Sequence, residues 1–381
     1  MHKSIYFSEE HEMLRDLIRR FIADEVMPNG HLWEAEGMTP RSVVRQMGDL
    51  GLLGLTYPLE YGGSDLDTLA TAVLAEELGR STFGGFAVTV LVHTDMSSPH
   101  LANAGSKAQL DKYMPRMITG ELLGAIAITE ADAGSDVAGM RTRATKDGDH
   151  WVLNGSKMFI TNGVNADLYF VAAKTDTKAK GSRGITIFIV EKDTPGFSVS
   201  RALDKMGWHS SDTAELVFDE CRVPEENILG EVNKGFYAIM KNFQNERIVL
   251  GAQAMGEAQK ALELTIDYVR ERKAFGGTLW DKQAIRQRLS QRLAEVEAGR
   301  QLIYHAAWLD SQGHDCVKEV SMVKAYCGEL VNRVLYDCQQ FHGGFGYIRE
   351  SAIERMVRDA RIQSIGGGAT EVMLEEIAKR V

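Results

Sequence analysis

No apolar run in this 381-residue sequence approaches the 18 residues that a membrane-spanning helix needs. Residues 1–7 also lack the charged-then-apolar pattern of a secretory signal. The expectation is a soluble, intracellular, cytoplasmic protein with no integral membrane association. Cysteine is scarce: Cys221, Cys316, Cys327 and Cys338 form no close CxxC pair, so a disulfide framework is excluded and a reducing compartment fits. With ten scattered histidines, they present no zinc, haem or iron–sulfur pattern, and no metal is expected. Basic charge is in deficit, with 43 Lys and Arg against 53 Asp and Glu for a net −10. That balance and the lack of a basic tail argue against a nucleic-acid partner or a general anionic-membrane surface, although local basic clusters can still hold phosphates. Internal repeats and low-complexity tails are missing too. What remains is a chain 44% hydrophobic, long enough to bury the cores of two or three domains.

Hydrophobic period divides the chain into three. Residues 8 to about 122 read as helices. Ser8 caps the first, Glu9 and Glu10 occupy its first turn, and Met13, Leu14, Leu17, Phe21 and Ile22 form its inward face. A loop over 57–63 interrupts, and helical patterns return over 69–78 and 108–118. Near Leu123 the pattern becomes that of short strands, at 151–153, 168–173, 184–190 and 214–218, separated by Gly, Asn, Asp and Pro punctuation. Beyond about Asn233 helices resume. Ile285, Leu289, Leu293 and Val296 form one stripe, and Val320, Val323, Cys327, Leu330, Val334 and Cys338 another. Two such helices joined at 312–314 need partners, so a bundle is expected. A turn at 343–346, a helix over 353–365, a break at 366–368 and a last helix after Thr370 complete it. The fold class is α+β: an N-terminal helical domain (1–122), a central antiparallel β domain (123–233) and a C-terminal four-helix bundle (234–381).

Two polar, glycine-rich segments carry the strongest chemical signal: Ile128-Thr-Glu-Ala-Asp-Ala-Gly-Ser-Asp-Val-Ala-Gly139 and Phe159-Ile-Thr-Asn-Gly163. Backbone amides and hydroxyls at such a surface suit a large planar or phosphorylated ligand. Hydroxyls donate to an electron-rich planar ligand without adding charge, and an aromatic face packs on a planar ring. Read alone, residues 161–163 are equally an ordinary turn. Arg272 supplies a cation for a pyrophosphate and Phe275 a surface for adenine; the plain alternative for Arg272 is a solvated helix-end charge. Glu246 interrupts an apolar helical stripe of Ile239, Phe243 and Leu250. Burial there raises a carboxylate's pKa and strengthens it as a base for a carbon-bound proton. An ion pair with Arg247, Lys241 or Arg272 is the competing reading.

These segments, with Lys205-Met-Gly207, Asp212-Thr-Ala214, Val223-Pro224, Gly235-Phe236, Glu271-Arg-Lys-Ala-Phe-Gly276, Gln340-Phe-His-Gly-Gly-Phe-Gly346 and Arg358-Asp-Ala360, resemble the acyl-CoA dehydrogenase family over nearly the whole chain. The resemblance implies FAD as cofactor, contacted by Ile126, Ile128, Thr129, Ser135, Phe159, Thr161 and Thr370. It implies that Arg272, Phe275, Gln340, Gly343 and Gly344 reach FAD held mainly by a neighbouring subunit, within a homotetramer built as a dimer of dimers. Ser135, Gln244 and Arg247 are implied contacts of the acyl-CoA. Short- and medium-chain members carry a catalytic glutamate in a Tyr-Glu-Gly-Thr segment where this chain has Gly366-Gly-Gly-Ala369. Gly367 therefore cannot be the base. Glu246-Arg247 matches the Glu-Arg pair that supplies the base in the long-chain and isovaleryl branch, and Gln244-Asn-Glu-Arg247, Asp212-Thr-Ala-Glu215 and His342-Gly-Gly344 look closest to the long-chain members. The Gly367 N–H still has an implied role, donating to the thioester carbonyl as the α-proton leaves; by itself the triplet reads as a helix break.

The implied reaction is α,β-dehydrogenation of a saturated, medium- to long-chain acyl-CoA. Glu246 takes the pro-R α-proton, a hydride passes from Cβ to FAD N5, and trans-2-enoyl-CoA forms. Electrons then go to an electron-transfer flavoprotein. A related flavin oxidase or monooxygenase, and a noncatalytic flavoprotein binding module, are the alternatives.

Overall fold

A computed structural model describes residues 4–179 and 181–381, so the first three residues of the 1–7 segment lie outside the described residues. Seven helices come first: α1 (Glu9–Phe21), α2 (Met27–Glu36), α3 (Arg41–Asp49), α4 (Thr68–Gly79), α5 (Gly84–Leu91), α6 (Ser98–Ala104) and α7 (Lys107–Ile118). Eight strands follow: β1 (Gly124–Ala127), β2 (Arg143–Asp147), β3 (His150–Thr161), β4 (Leu168–Lys174), β5 (Ile185–Glu191), β6 (Phe197–Ala202), β7 (Thr213–Pro224) and β8 (Ile228–Leu229). The rest comprises α8 (Gly235–Glu271), a small hairpin of β9 (Lys273–Ala274) and β10 (Gly277–Thr278), then α9 (Gln283–Ser311), α10 (Val317–His342), α11 (Ala352–Ala360) and α12 (Thr370–Ala378). The order is the expected helical region, sheet, helical bundle.

Local chemistry accounts for the ends of α1. The Ser8 hydroxyl accepts from the His11 N–H, and the His11 ring accepts from the Ser8 N–H in return, a capping box. Its inward face differs from expectation at one place. Met13 is 71% exposed, whereas Ile18 is fully buried beside Leu14, Phe21 and Ile22. Spacings of four and three from Leu14 run through Ile18 and Phe21, which leaves Met13 on the outer flank.

The sheet runs β6-β7-β3-β2-β4-β5-β8. It is mostly antiparallel, as expected, but β1 pairs with β4 in parallel and β2 meets β4 in parallel at Arg143 and Lys174. Strand β3 extends well beyond residues 151–153, because its alternation is interrupted by register shifts between Leu153 and Gly155 and between Lys157 and Ile160. The second shift carries the chain into the Phe159–Thr161 segment. The helix expected over 353–365 ends at Ala360 and continues as a 3-10 turn, Arg361–Ser364.

In the C-terminal bundle α8, α9 and α10 pack on one another and α11 and α12 pack on α10. Helix α4, buried on all sides, packs on α8 and α9. One apolar core thus joins the first and last thirds of the chain, running from Leu14 and Val73 to Val249, Val323 and Met356. Among the described residues no helix is long and apolar enough to cross a membrane.

Candidate active site

The loop after β1 is tied down by a buried ion pair. Lys157, fully buried on β3, donates to the Ile128 carbonyl at 2.9 Å and to Glu130 Oε1 at 2.8 Å. Glu130 also accepts from the Arg141 N–H at 2.6 Å and the Thr142 N–H at 3.0 Å, so one carboxylate closes the segment from 130 to 142 onto itself. The Met158 N–H donates to the Thr129 carbonyl at 2.9 Å, setting the half-buried Thr129 beside β3. Burial pushes the Lys157 ammonium down to about 8 against the pull of Glu130. Neither Lys157 nor Glu130 was singled out in the sequence; Lys157 lies beyond the strand expected at 151–153, and only the extended β3 buries it.

Phe159 follows at the bulge with φ 61° and 64% exposure. A bulky residue in the left-handed region costs on the order of 1–3 kcal/mol, which the paired strand holds in place. The result is an outward-facing ring in a strand whose neighbours turn inward. Half-buried Thr161 lies two residues on, paired with Thr213 on β7, and Ser135 is exposed in the loop. Uncharged hydroxyls around an exposed ring fit the isoalloxazine of a flavin. Ile126 on β1 and Ile128 just after it are half-buried and buried beneath this surface.

Glu246 sits on α8 with 7% exposure. Its Oε1 accepts from Asn242 Nδ2 at 2.9 Å, and among the described residues it makes no ion pair. Lys241 is exposed, and Arg272 caps the far end of α8, roughly 40 Å away at 1.5 Å of rise per residue. Burial pushes the Glu246 carboxyl up to about 8; the Asn242 hydrogen bond and the Arg247 charge oppose the shift, and Asp95 adds to it. Arg247 is itself buried, its guanidinium 5.7 Å from the Phe243 ring centre and its Nε without a partner among the described residues. Gln244 is half-buried, its Oε1 3.6 Å from Cys316 Sγ.

Gly367 comes to this face of α8 from the other side. It has φ 64°, and a Cβ built on it would lie 2.3 Å from Leu250 Cδ1, four residues beyond Glu246. A side chain there would have to displace the Leu250 methyl and adopt a left-handed backbone, which favours glycine. Lys324 on α10 holds the loop by donating to the carbonyls of Gln363 at 2.5 Å and Gly368 at 3.1 Å, a contact for which the sequence offered no signal. Thr370 donates to Glu329 at 2.8 Å, leaving its hydroxyl oxygen able only to accept.

The remaining predicted residues form a separate group at the far end of α8. Arg272, Tyr268, His342, Gly343, Gly344 and Phe345 line an open cavity of about 620 Å³. Tyr268 and His342 stack at 4.4 Å between ring centres. Phe275, 91% exposed with φ 51°, projects from the β9–β10 hairpin, and Gln340 is exposed in the last turn of α10. A guanidinium, free backbone and exposed rings fit a nucleotide diphosphate, but not one that also reaches Glu246 within the same chain.

Models of the acyl-CoA dehydrogenase N-terminal, middle and C-terminal domains match residues 8–121, 125–221 and 233–381. The chain is 40% identical over 376 residues to the mitochondrial long-chain specific acyl-CoA dehydrogenase of Mus musculus, covering 98% of this chain and 87% of that protein. It is also 40% identical over 368 residues to the mitochondrial isovaleryl-CoA dehydrogenase of Pongo abelii, with coverage of 96% and 87%. The crystal structure of acyl-CoA dehydrogenase from Geobacillus kaustophilus superposes with a TM-score of 0.96 at 40% identity and covers 99% of both chains. The expectation of a cytoplasmic location is corrected by these relatives: the mouse, rat and pig long-chain proteins are mitochondrial. Free, buried cysteines do not choose a compartment.

Proposed function

The chain belongs to the acyl-CoA dehydrogenase family and is an FAD-dependent enzyme of that kind; from that premise we propose that Glu246 is its base and a medium- to long-chain saturated acyl-CoA its substrate. The observation that carries this reading is a buried, unpaired carboxylate, raised to about 8, on the face of α8 that the Gly367 loop covers. A desolvated carboxylate gains basicity, which abstraction of a weakly acidic α-proton requires.

FAD, when bound, supplies the acceptor for the β-hydride. The chain's own residues do the rest. Glu246 takes the α-proton, and the Gly367 N–H donates to the thioester oxygen as negative charge develops there. Phe159, with Thr129, Thr161 and Ser135, would hold the flavin ring, and Gln244 and Arg247 would bind the CoA ester. Arg272, Phe275, Gln340, Gly343 and Gly344 complete the nucleotide site of a second copy, since the length of α8 separates them from Glu246; the dimer of dimers that the resemblance implies accommodates this. Boundaries near residues 122 and 233 and an electron-transfer flavoprotein as acceptor belong to the same reading.

Identity to the mouse long-chain and orangutan isovaleryl proteins is equal at 40%, so the preference for a linear chain leans on residues 244–247, 212–215 and 342–344. Initial rates across straight-chain C4 to C18 and isovaleryl thioesters test it. Rates are expected to rise from C4 into the longer chains, and a sharp isovaleryl preference would reject the choice. The pH dependence tests the base. The reactive form is the deprotonated one, so kcat/KM for flavin reduction should climb as pH rises through about 8 and level off above it. A flat profile from about pH 6 to 9 would be incompatible with a base of that pKa.

A further inference from the structure

Asn242 lies one helical turn before Glu246 on α8 and is 4% exposed. Its side-chain amide meets three acceptors: Glu246 Oε1 at 2.9 Å and the backbone carbonyls of Asp95 and Met96 at 3.2 and 3.3 Å. An amide NH2 has two hydrogens, so this group is fully engaged. Turned over, it would set its oxygen against three other oxygens. The orientation of the amide is thus fixed by its surroundings.

Both carbonyls belong to a π-helical segment, Val92–Ser97, between α5 and α6. A π turn is uncommon and often marks functional positions. Here it presents consecutive carbonyls sideways to side-chain donors. Thr94 O accepts from the Tyr57 hydroxyl at 2.5 Å, and Asp95 O accepts from Asn245 as well, at 3.2 Å. The Asp95 carboxylate is held in turn by the Thr94 hydroxyl at 2.6 Å and by Asn245 at 3.1 Å. The N-terminal helical region therefore grips Asn242, and Asn242 grips one oxygen of Glu246. Among the described residues the other oxygen, Oε2, has no hydrogen-bond donor, so its lone pairs stay available.

We propose that Asn242 is a positioning residue: by donating to Oε1 it sets the plane of the Glu246 carboxylate and makes Oε2 the oxygen that receives the α-proton. This rests on Glu246 being the base. Proton transfer from carbon is steeply sensitive to the approach of the acceptor, and a carboxylate free to rotate spends less time aligned. The alternative is that Asn242 merely ties α8 to the π segment and contributes to stability.

Asn242→Leu, near in volume and without a donor, separates the two. With the FAD-loaded enzyme and excess dodecanoyl-CoA in anaerobic stopped flow, the limiting rate of flavin reduction should fall about 10- to 100-fold. Half-saturation and FAD content should stay within about twofold. In a Glu246→Gln background the same change should cost less than about threefold, because the group it positions is already gone. A merely structural tie would instead lower FAD content and slow both backgrounds equally. Wild-type reduction by Asn242→Leu, with Glu246→Gln slow, overturns the positioning role and leaves the base intact. Wild-type reduction by Glu246→Gln overturns both. Should Asn242→Leu fail to fold, Asn242→Ala, smaller and also without a donor, carries the same comparison.

Discussion

Glu246→Gln is expected to fold, retain FAD and bind acyl-CoA, yet reduce its flavin on the order of a thousandfold more slowly than the native enzyme. The fold should tolerate the change because the carboxyl, raised to about 8, is already mostly neutral at pH 7. Glutamine keeps the shape and an oxygen to accept from Asn242, so the Asn242 donor is not orphaned. Only the capacity to take a proton is lost. Anaerobic stopped-flow reduction with excess acyl-CoA reads the rate, and the flavin absorbance of the purified variant reads cofactor content. A slow variant that has also lost FAD would point to a structural defect instead.

The second large effect is expected at Lys157→Met. This removes the cation from a buried pair and leaves Glu130 with two backbone donors but no counter-charge. Breaking such a pair from one side costs about 3–5 kcal/mol. The loss falls on the segment from 128 to 142, which carries Thr129 and Ser135, so weakened FAD retention should accompany a lowered denaturation midpoint. Adding Glu130→Gln removes the uncompensated charge and should recover part of both, since the two changes share one interaction. Equal losses in the single and double variants would mean that the pair does not hold the loop.

The parts of this molecule that were legible in the sequence are those specified locally. The Ser8 cap, the stripes of α9 and α10, the break at 366–368 and the order of regions all follow from side chains a few residues apart. Glu246 stood out for the same reason, as a charge within an apolar face. Strand β3 was only partly visible because its bulges break the alternation by which a strand is recognised, and polar β2 buries a single residue, Ala144. Contacts between distant segments were out of reach. Asn242 meets a carbonyl 147 residues away, Lys157 an acid 27 residues away and Lys324 a carbonyl 39 residues away. Each looked like an ordinary polar residue on its element until the fold supplied its partner. Resemblance, not periodicity, pointed to Gly367; the structure adds the left-handed backbone and the close Leu250 methyl that favour glycine there.

The central claim is that this enzyme removes an α-proton and a β-hydride from a saturated acyl-CoA with Glu246 as the proton acceptor. Its most direct test is an anaerobic titration of the FAD-loaded enzyme with dodecanoyl-CoA, following flavin bleaching and identifying the thioester by mass spectrometry. One trans-2-enoyl-CoA should form for each flavin bleached, and Glu246→Gln should form almost none on the same timescale. Bleaching and product formation by Glu246→Gln at the native rate, or rapid oxygen uptake with a hydroxylated product when the native enzyme is run in air, would contradict it.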